Sequence, residues 1–235
     1  MALPELNTAR YKVEVPSTGQ EISYRPYLVK EEKLLMMAME SNDSKVIMQT
    51  TIDIIKACVF DEIDVESLAM FDIETLFLAL RSKSVGEKID LNIKCEECQH
   101  GNEVQIDFDA IEAPVVTDDN KQMMLTDTVG VVLKYPSVKD IDSLSNLGDN
   151  EMDAAMSMLV ACIDSIFDED NVYDAKSETT KELTNFVESL NSEQFQNLSE
   201  FFGTMPALSS LIEFNCTSCG KANSQELKGL QSFFT

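Results

Sequence analysis

The chain is 235 residues long and carries 42 Asp and Glu against 18 Lys and Arg, a formal net charge of −24 and a pI near 4.2. That balance argues against direct nucleic-acid binding, because nothing can neutralise a run of phosphates, and it disfavours an anionic membrane surface. Hydrophobic residues make up 44% of the sequence, enough for a buried core in one large domain or two small ones.

The first residues lack a basic start followed by an apolar run, so they do not read as a secretory signal. Apolar stretches such as 34–39 and 76–80 are far short of the roughly 20 residues that span a bilayer. The expectation is a soluble cytoplasmic protein. Residues 11–15 and 21–24 alternate around Ser17-Thr18-Gly19-Gln20 and predict a β-hairpin. Pro26 punctuates the chain, and 30–41 has helix-favouring composition. A second helix is expected over 44–60, with Val46, Ile47, Thr50, Ile54 and Ala57 on one side and Asp43 or Ser44 as cap. A third is expected over 65–83, with Leu68, Phe71, Leu76, Leu78 and Leu80 supplying apolar surface. Period 2 returns at 88–94, where Ile89, Leu91 and Ile93 share a face, and again at 104–108.

Residues 114–120 read as a connector, after which the pattern restarts. A strand at 129–135 is followed by Pro136, helices at 137–147 and 151–167, and a polar acidic loop at 168–177. Helices at 179–190 and 192–203 precede strands at 209–215 and 222–227. The two halves resemble each other in three blocks taken in order. Tyr24-Arg25-Pro26 echoes Lys134-Tyr135-Pro136, Ala57-Cys58-Val59 echoes Ala161-Cys162-Ile163, and 91–98 echoes 212–219. The expected architecture is α+β, in two pseudo-repeated halves that each end in a short antiparallel hairpin. The boundaries are 1–113, a connector at 114–126, and 127–235.

The strongest chemical signal is a pair of Cys-x-x-Cys turns, Cys95/Cys98 and Cys216/Cys219, each flanked by strands. Thiolates spaced in this way across a tight turn can point at one ion, and one such turn supplies only two ligands. Together the four predict a closed, structural zinc site without an open coordination position, whose metal would contribute to folding. Gly101 and Gly220 are expected to supply the permissive backbone after each turn. Three readings compete with zinc. A disulfide pair is out of place in the cytoplasm, and a thioredoxin-like redox motif wants its cysteines at a helix N-terminus. The third is four thiols that hold no metal. His100 reads as a solvated turn residue, and Cys58 and Cys162 as buried core.

No catalytic constellation emerges. One His excludes most Ser-His and Cys-His schemes, there is no Gly-rich phosphate loop, and the carboxylates read as solvated faces. Met36, Met37 and Met39 read either as a pliable partner-binding surface or as core filler. Phe201-Phe202 and Phe233-Phe234 form apolar segments that either pack on their own domain or dock into a neighbour.

Three stretches carry a resemblance. Residues 195–208 (FQNLSEFFGTMPAL) fit the phage pattern F-x-x-L/I-x-x-F-F-x-T-M-P-x-L and precede an apolar strand, Cys-x-x-Cys-Gly and the final 227–234. Residues 24–35 (YRPYLVKEEKLL) and 77–87 (FLALRSKSVGE) fit the same family. In these the chain resembles the baseplate hub subunit and hub-assembly proteins of T-even-type contractile-tailed phages, nearly end to end and least over 118–181. The resemblance implies a non-enzymatic role in tail baseplate assembly, as structural subunit or assembly chaperone. The implied partners are other hub, spike or tape-measure proteins, and the implied location is the host cytoplasm and the virion baseplate. The alternative is an acidic zinc-ribbon regulator that binds host transcription or replication machinery.

Overall fold

A computed structural model of the chain describes residues 8–108, 111, 114–116, 121–144 and 151–229. The expected connector falls partly outside these residues, as do the end of the helix expected over 137–147 and Phe233-Phe234. The fold is α+β, with small antiparallel sheets and seven α-helices among the described residues.

The chain separates into two compact units that do not follow the two sequence halves. The first comprises residues up to Val65, Phe71–Val115 and the chain from Ala207 onward; the second comprises Glu66–Met70 and Val116–Pro206. The C-terminal hairpin therefore groups with the N-terminal half rather than with 127–206. Shared apolar packing explains this. Leu208, Ile212 and Leu227 lie in one core cluster with Leu78, Leu91, Ile93 and Ile106, and burial of that surface outweighs proximity along the chain.

In the first unit, β1 (Tyr11–Val15) and β2 (Gln20–Tyr24) form the expected hairpin, with Val15 and Ile22 fully buried. Helix α1 (Val29–Glu40) starts at a residue whose side chain cannot cap it. The carboxylate of Glu31 instead accepts from the Leu28 N–H at 2.8 Å and from the Arg25 guanidinium at 3.0 Å. Burial opposes the charge on Glu31, but these two donors and the Lys30 ammonium at 3.3 Å outweigh it and hold the carboxyl below its ordinary value. Helix α2 (Ser44–Cys58) is capped by Asp43, which accepts from the amides of Lys45 and Val46. Its core face is Thr51, Ile52, Ile54, Ile55 and Cys58, whereas Val46, Thr50 and Ala57, with one edge of Ile54, line a groove shared with Leu34, Met37 and Ala38 of α1. The apolar side read from the sequence is thus largely the groove side. A single 3-10 turn at Val65–Ser67 precedes α3 (Met70–Ser84). This helix buries Phe71, Ile73, Leu76, Phe77, Leu78 and Leu80, as expected of a helix apolar on most sides. Then β3 (Lys88–Lys94) pairs with β4 (Gly101–Asp107), and near the C-terminus β9 (Ser209–Asn215) pairs with β10 (Ala222–Lys228).

In the second unit, β5 (Gln122–Met124), β6 (Gly130–Leu133), β7 (Ile163–Phe167) and β8 (Val172–Asp174) form one antiparallel sheet in that order. Two sequence expectations are corrected here. Helix α5 (Glu151–Cys162) stops at Cys162 rather than running to 167, because 163–167 pairs with β6. Ile163 and Ile166 satisfy a strand as well as a helix, and the neighbouring strand decides. Likewise β8 lies inside the stretch expected to be an acidic loop. Helices α4 (Val138–Leu144), α6 (Thr180–Glu188) and α7 (Ser192–Gly203) complete the unit. The last two begin with reciprocal capping boxes, Thr179 with Glu182 and Asn191 with Gln194. Phe201 is fully buried and stacks on Tyr135 with ring centroids 5.5 Å apart, so this aromatic packs on its own domain.

Candidate metal centre

Each Cys-x-x-Cys turn is fixed by its own backbone. The amide of Cys95 donates to the carbonyl of His100 and that of Gln99 to the carbonyl of Cys95, both at 2.9 Å. In the second turn the amide of Cys216 donates to Lys221 at 2.8 Å and that of Gly220 to Cys216 at 2.9 Å. The left-handed residue closing each turn is Gln99 (φ 59°) in one and Gly220 (φ 75°) in the other. Gly220 therefore has the role expected of it and Gly101 does not. Gly101 lies on β4 across from Lys94, where an added Cβ would sit 2.4 Å from Oδ1 of Asn92. Its requirement is close approach, not a positive φ.

The shared core brings the two turns together. The Sγ atoms of Cys95, Cys98, Cys216 and Cys219 all lie within 4.8 Å of one another, with Cys95–Cys219 at 3.7 Å and Cys98–Cys216 at 3.5 Å. All four are free thiols. Cys95 and Cys216 are buried, and Cys98 and Cys219 are at the rim. The arrangement is compatible with one metal ion held by sulfur alone. Among the described residues this is the one cluster of potential ligands that converges in this way. His100 is exposed and outside it, while Cys58 and Cys162 are buried elsewhere, their thiols pushed up by burial to about 11 and about 12.

Backbone amides set the electrostatics. The Cys219 N–H, joined by the Ser218 N–H and opposed by desolvation, lowers Cys216 to about 6. The Cys98 N–H also holds Cys95 below its ordinary value, against desolvation and helped by the Glu97 N–H and by Asn223. For Cys98 the His100 N–H works downward, but desolvation and the three neighbouring sulfurs prevail and push it up to about 12. Four thiols this close cannot all ionise without a cation, because each added negative charge raises the cost of the next.

Two buried asparagines complete the centre, and both escaped the sequence reading. Asn102 of β4 reaches across to the second turn, where its Oδ1 accepts from the Thr217 N–H at 2.8 Å and hydroxyl at 3.0 Å. Its Nδ2 donates to the His100 carbonyl at 2.9 Å and lies 3.8 Å from Sγ of Cys216. Asn223 of β10 does the converse, accepting from the Glu96 N–H at 3.1 Å and donating to the Lys221 carbonyl at 2.9 Å. Each turn is therefore held by the other's asparagine. The available signal was a shared Cys-x-x-Cys-x-x-x-Asn spacing, seven residues from Cys95 to Asn102 and from Cys216 to Asn223. An exposed Lys221–Glu97 ion pair at 2.9 Å also links the turns.

The family model described as T4 bacteriophage base plate protein matches residues 8–235. The chain belongs to that family. Over 224 residues it is 21% identical to the baseplate hub assembly protein gp26 of Enterobacteria phage T4, an alignment that covers 95% of this chain and 97% of that protein. No solved structure matches the chain. The matched span includes both Cys turns, both asparagines and the α1–α2 groove.

Proposed function

We propose that this member of the family is a baseplate hub protein that acts in hub and tail assembly by binding other proteins, as a structural subunit or an assembly chaperone. The observation that carries the reading is the end-to-end similarity to a hub assembly protein. The structure supports a binding role. Val29, Leu34, Met36 and Met37 of α1 are 55–79% exposed, and Leu34 and Met37 border the apolar groove beside α2. Exposed apolar surface of this kind is typical of interaction sites, and methionine adapts to irregular partners. Catalysis has no such support, since the converging cysteines form a closed set of four. The working locations are the virion baseplate and, during assembly, the host cytoplasm. The test is mass spectrometry and cryo-EM of purified particles and assembly intermediates. The chain is expected in the hub or in hub precursors, and its absence from both refutes the role.

The ion we assign to the four cysteines is zinc, bound as a structural clasp. Thiolates about 2.3 Å from a tetrahedral zinc lie roughly 3.8 Å apart, close to the 3.5 and 3.7 Å between sulfurs of opposite turns. Metal analysis of purified protein should find about one zinc per chain; two per chain, or none after zinc-supplemented growth, would overturn the assignment. We further infer that the halves descend from a duplication. Turn residues recur 121 positions apart (Cys95 and Cys216, Asn102 and Asn223) with the same hydrogen bonds. Upstream, the chain before each proline also donates to the matching cysteine carbonyl, one position out of register: Arg25 to Cys58 and Lys134 to Cys162.

A further inference from the structure

We propose that a cleft in the second unit, between the β7–β8 edge and α6, receives a segment of a neighbouring baseplate protein that presents Lys or Arg beside an apolar side chain. The inference rests on the hub role above and names a surface and a partner chemistry for it. The cleft encloses about 280 Å³. Its walls are apolar, from Ile166, Phe167, Leu183 and Phe186, while its charged lining is Asp168, Glu178 and Glu182, with no Lys or Arg among the lining residues. Two of the carboxylates are oriented by neutral donors that leave their charge uncompensated. Asp168 accepts from the Asp170 and Asn171 amides and the Tyr173 hydroxyl, and Glu182 accepts from the Thr179 amide and hydroxyl.

Three observations narrow the occupant. First, the carboxylates do not converge as metal ligands do, so the negative charge is spread along a wall rather than focused on an ion. Second, apolar walls under a negative rim match a long cationic side chain, whose methylene stem covers the rings while its head meets the carboxylates. Such complementarity selects a partner and its orientation. Third, β8 is the outer strand of its sheet, with Val172 73% and Tyr173 42% exposed. Among the described residues no strand pairs with its other side, which can take an extended segment that supplies backbone hydrogen bonds alongside the cleft. A polypeptide satisfies all three, and the net charge of −24 favours a basic one.

The test co-expresses the full chain with the other baseplate proteins of its phage. A photo-crosslinking amino acid replaces Tyr173, and the crosslinked peptide is sequenced. A peptide with Lys or Arg next to an apolar residue is the expected product. Glu178→Lys should reduce recovery of that complex at least tenfold, and reversing the mapped basic residue to Glu should restore it. Raised NaCl should weaken the wild-type complex, a readout that remains if the Glu178→Lys variant does not fold. Unchanged recovery with both Glu178→Lys and Phe186→Ser, while the wild type still forms its complex, refutes the cleft and leaves the hub role standing. A crosslink to an acidic or uncharged segment refutes the partner chemistry. If the wild type retains no baseplate protein at all, the hub role and this inference fall together.

Discussion

Replacing Asn102 by Ala should loosen the proposed zinc clasp without touching a cysteine. Asn102 is 3% exposed and makes three short hydrogen bonds, two to Thr217 and one to the His100 carbonyl. At roughly 1 kcal/mol each, and with exposed Thr217 able to recover water, the loss is about 2–3 kcal/mol. The side chain also adjoins Sγ of Cys216, and loss of a residue supporting a ligand typically costs about 10–100-fold in metal affinity. Competition with a chromogenic zinc chelator measures the affinity, and urea unfolding of the zinc-loaded protein measures the stability. Asn223→Ala should act in the same direction, since Asn223 holds the Glu96 amide and adjoins Cys95 in the first turn as Asn102 holds Thr217 and adjoins Cys216 in the second. Because both residues stabilise one clasp, the double variant should lose less than the sum. Wild-type zinc affinity in Asn102→Ala, with a stability loss below about 0.5 kcal/mol, would refute the reciprocal support.

Further outcomes follow from the same structure. In the metal-free protein, Cys216, lowered to about 6 from 9.0, contributes stability that is full above pH 9 and lost as pH falls through 6. Cys58, Cys98 and Cys162, raised to about 11, 12 and 12, contribute stability that is full below pH 9 and lost as pH rises through those values. The contribution of these thiols to metal-free stability is therefore greatest near pH 9, and Cys216→Ser should flatten its rise between 6 and 9 in a series of denaturant titrations. Gly130→Ala should lower the melting temperature, because its Cβ would sit 2.2 Å from the ring of Phe167; overpacking of this kind costs about 1–3 kcal/mol. Arg25→Met should destabilise the first unit by about 1.5–3 kcal/mol, since it removes the guanidinium hydrogen bond from the buried carboxylate of Glu31, which keeps the Leu28 N–H and the Lys30 ammonium, and calorimetry reads the loss. Leu34→Glu with Met37→Glu should leave stability unchanged and abolish capture of hub partners in co-expression pull-downs, because both side chains are exposed.

Local pattern carried much of this protein. Alternation marked β1 to β4, a capping residue marked the start of α2, and the Cys-x-x-Cys spacing singled out all four converging thiols. Each of these depends on neighbours within a few positions, so the sequence displays it directly. Three things required the fold. Residues 163–167 became a strand only because β6 lies beside them, as a short apolar run is compatible with either structure. The side of α2 read as apolar proved to border a groove, because periodicity reports a stripe but not what covers it. The compact units ignored the sequence halves because the C-terminal hairpin buries its apolar face with β3 and β4, and burial is decided by what meets in space. The sequence alone marked Cys95, Cys98, Cys216 and Cys219 as two Cys-x-x-Cys pairs flanked by strands. Only the tertiary structure brought the pairs within 4.8 Å and set Asn102 and Asn223 to hold each other's turn, since contacts between residues this far apart in the chain exist only once a shared core has closed the loop between them.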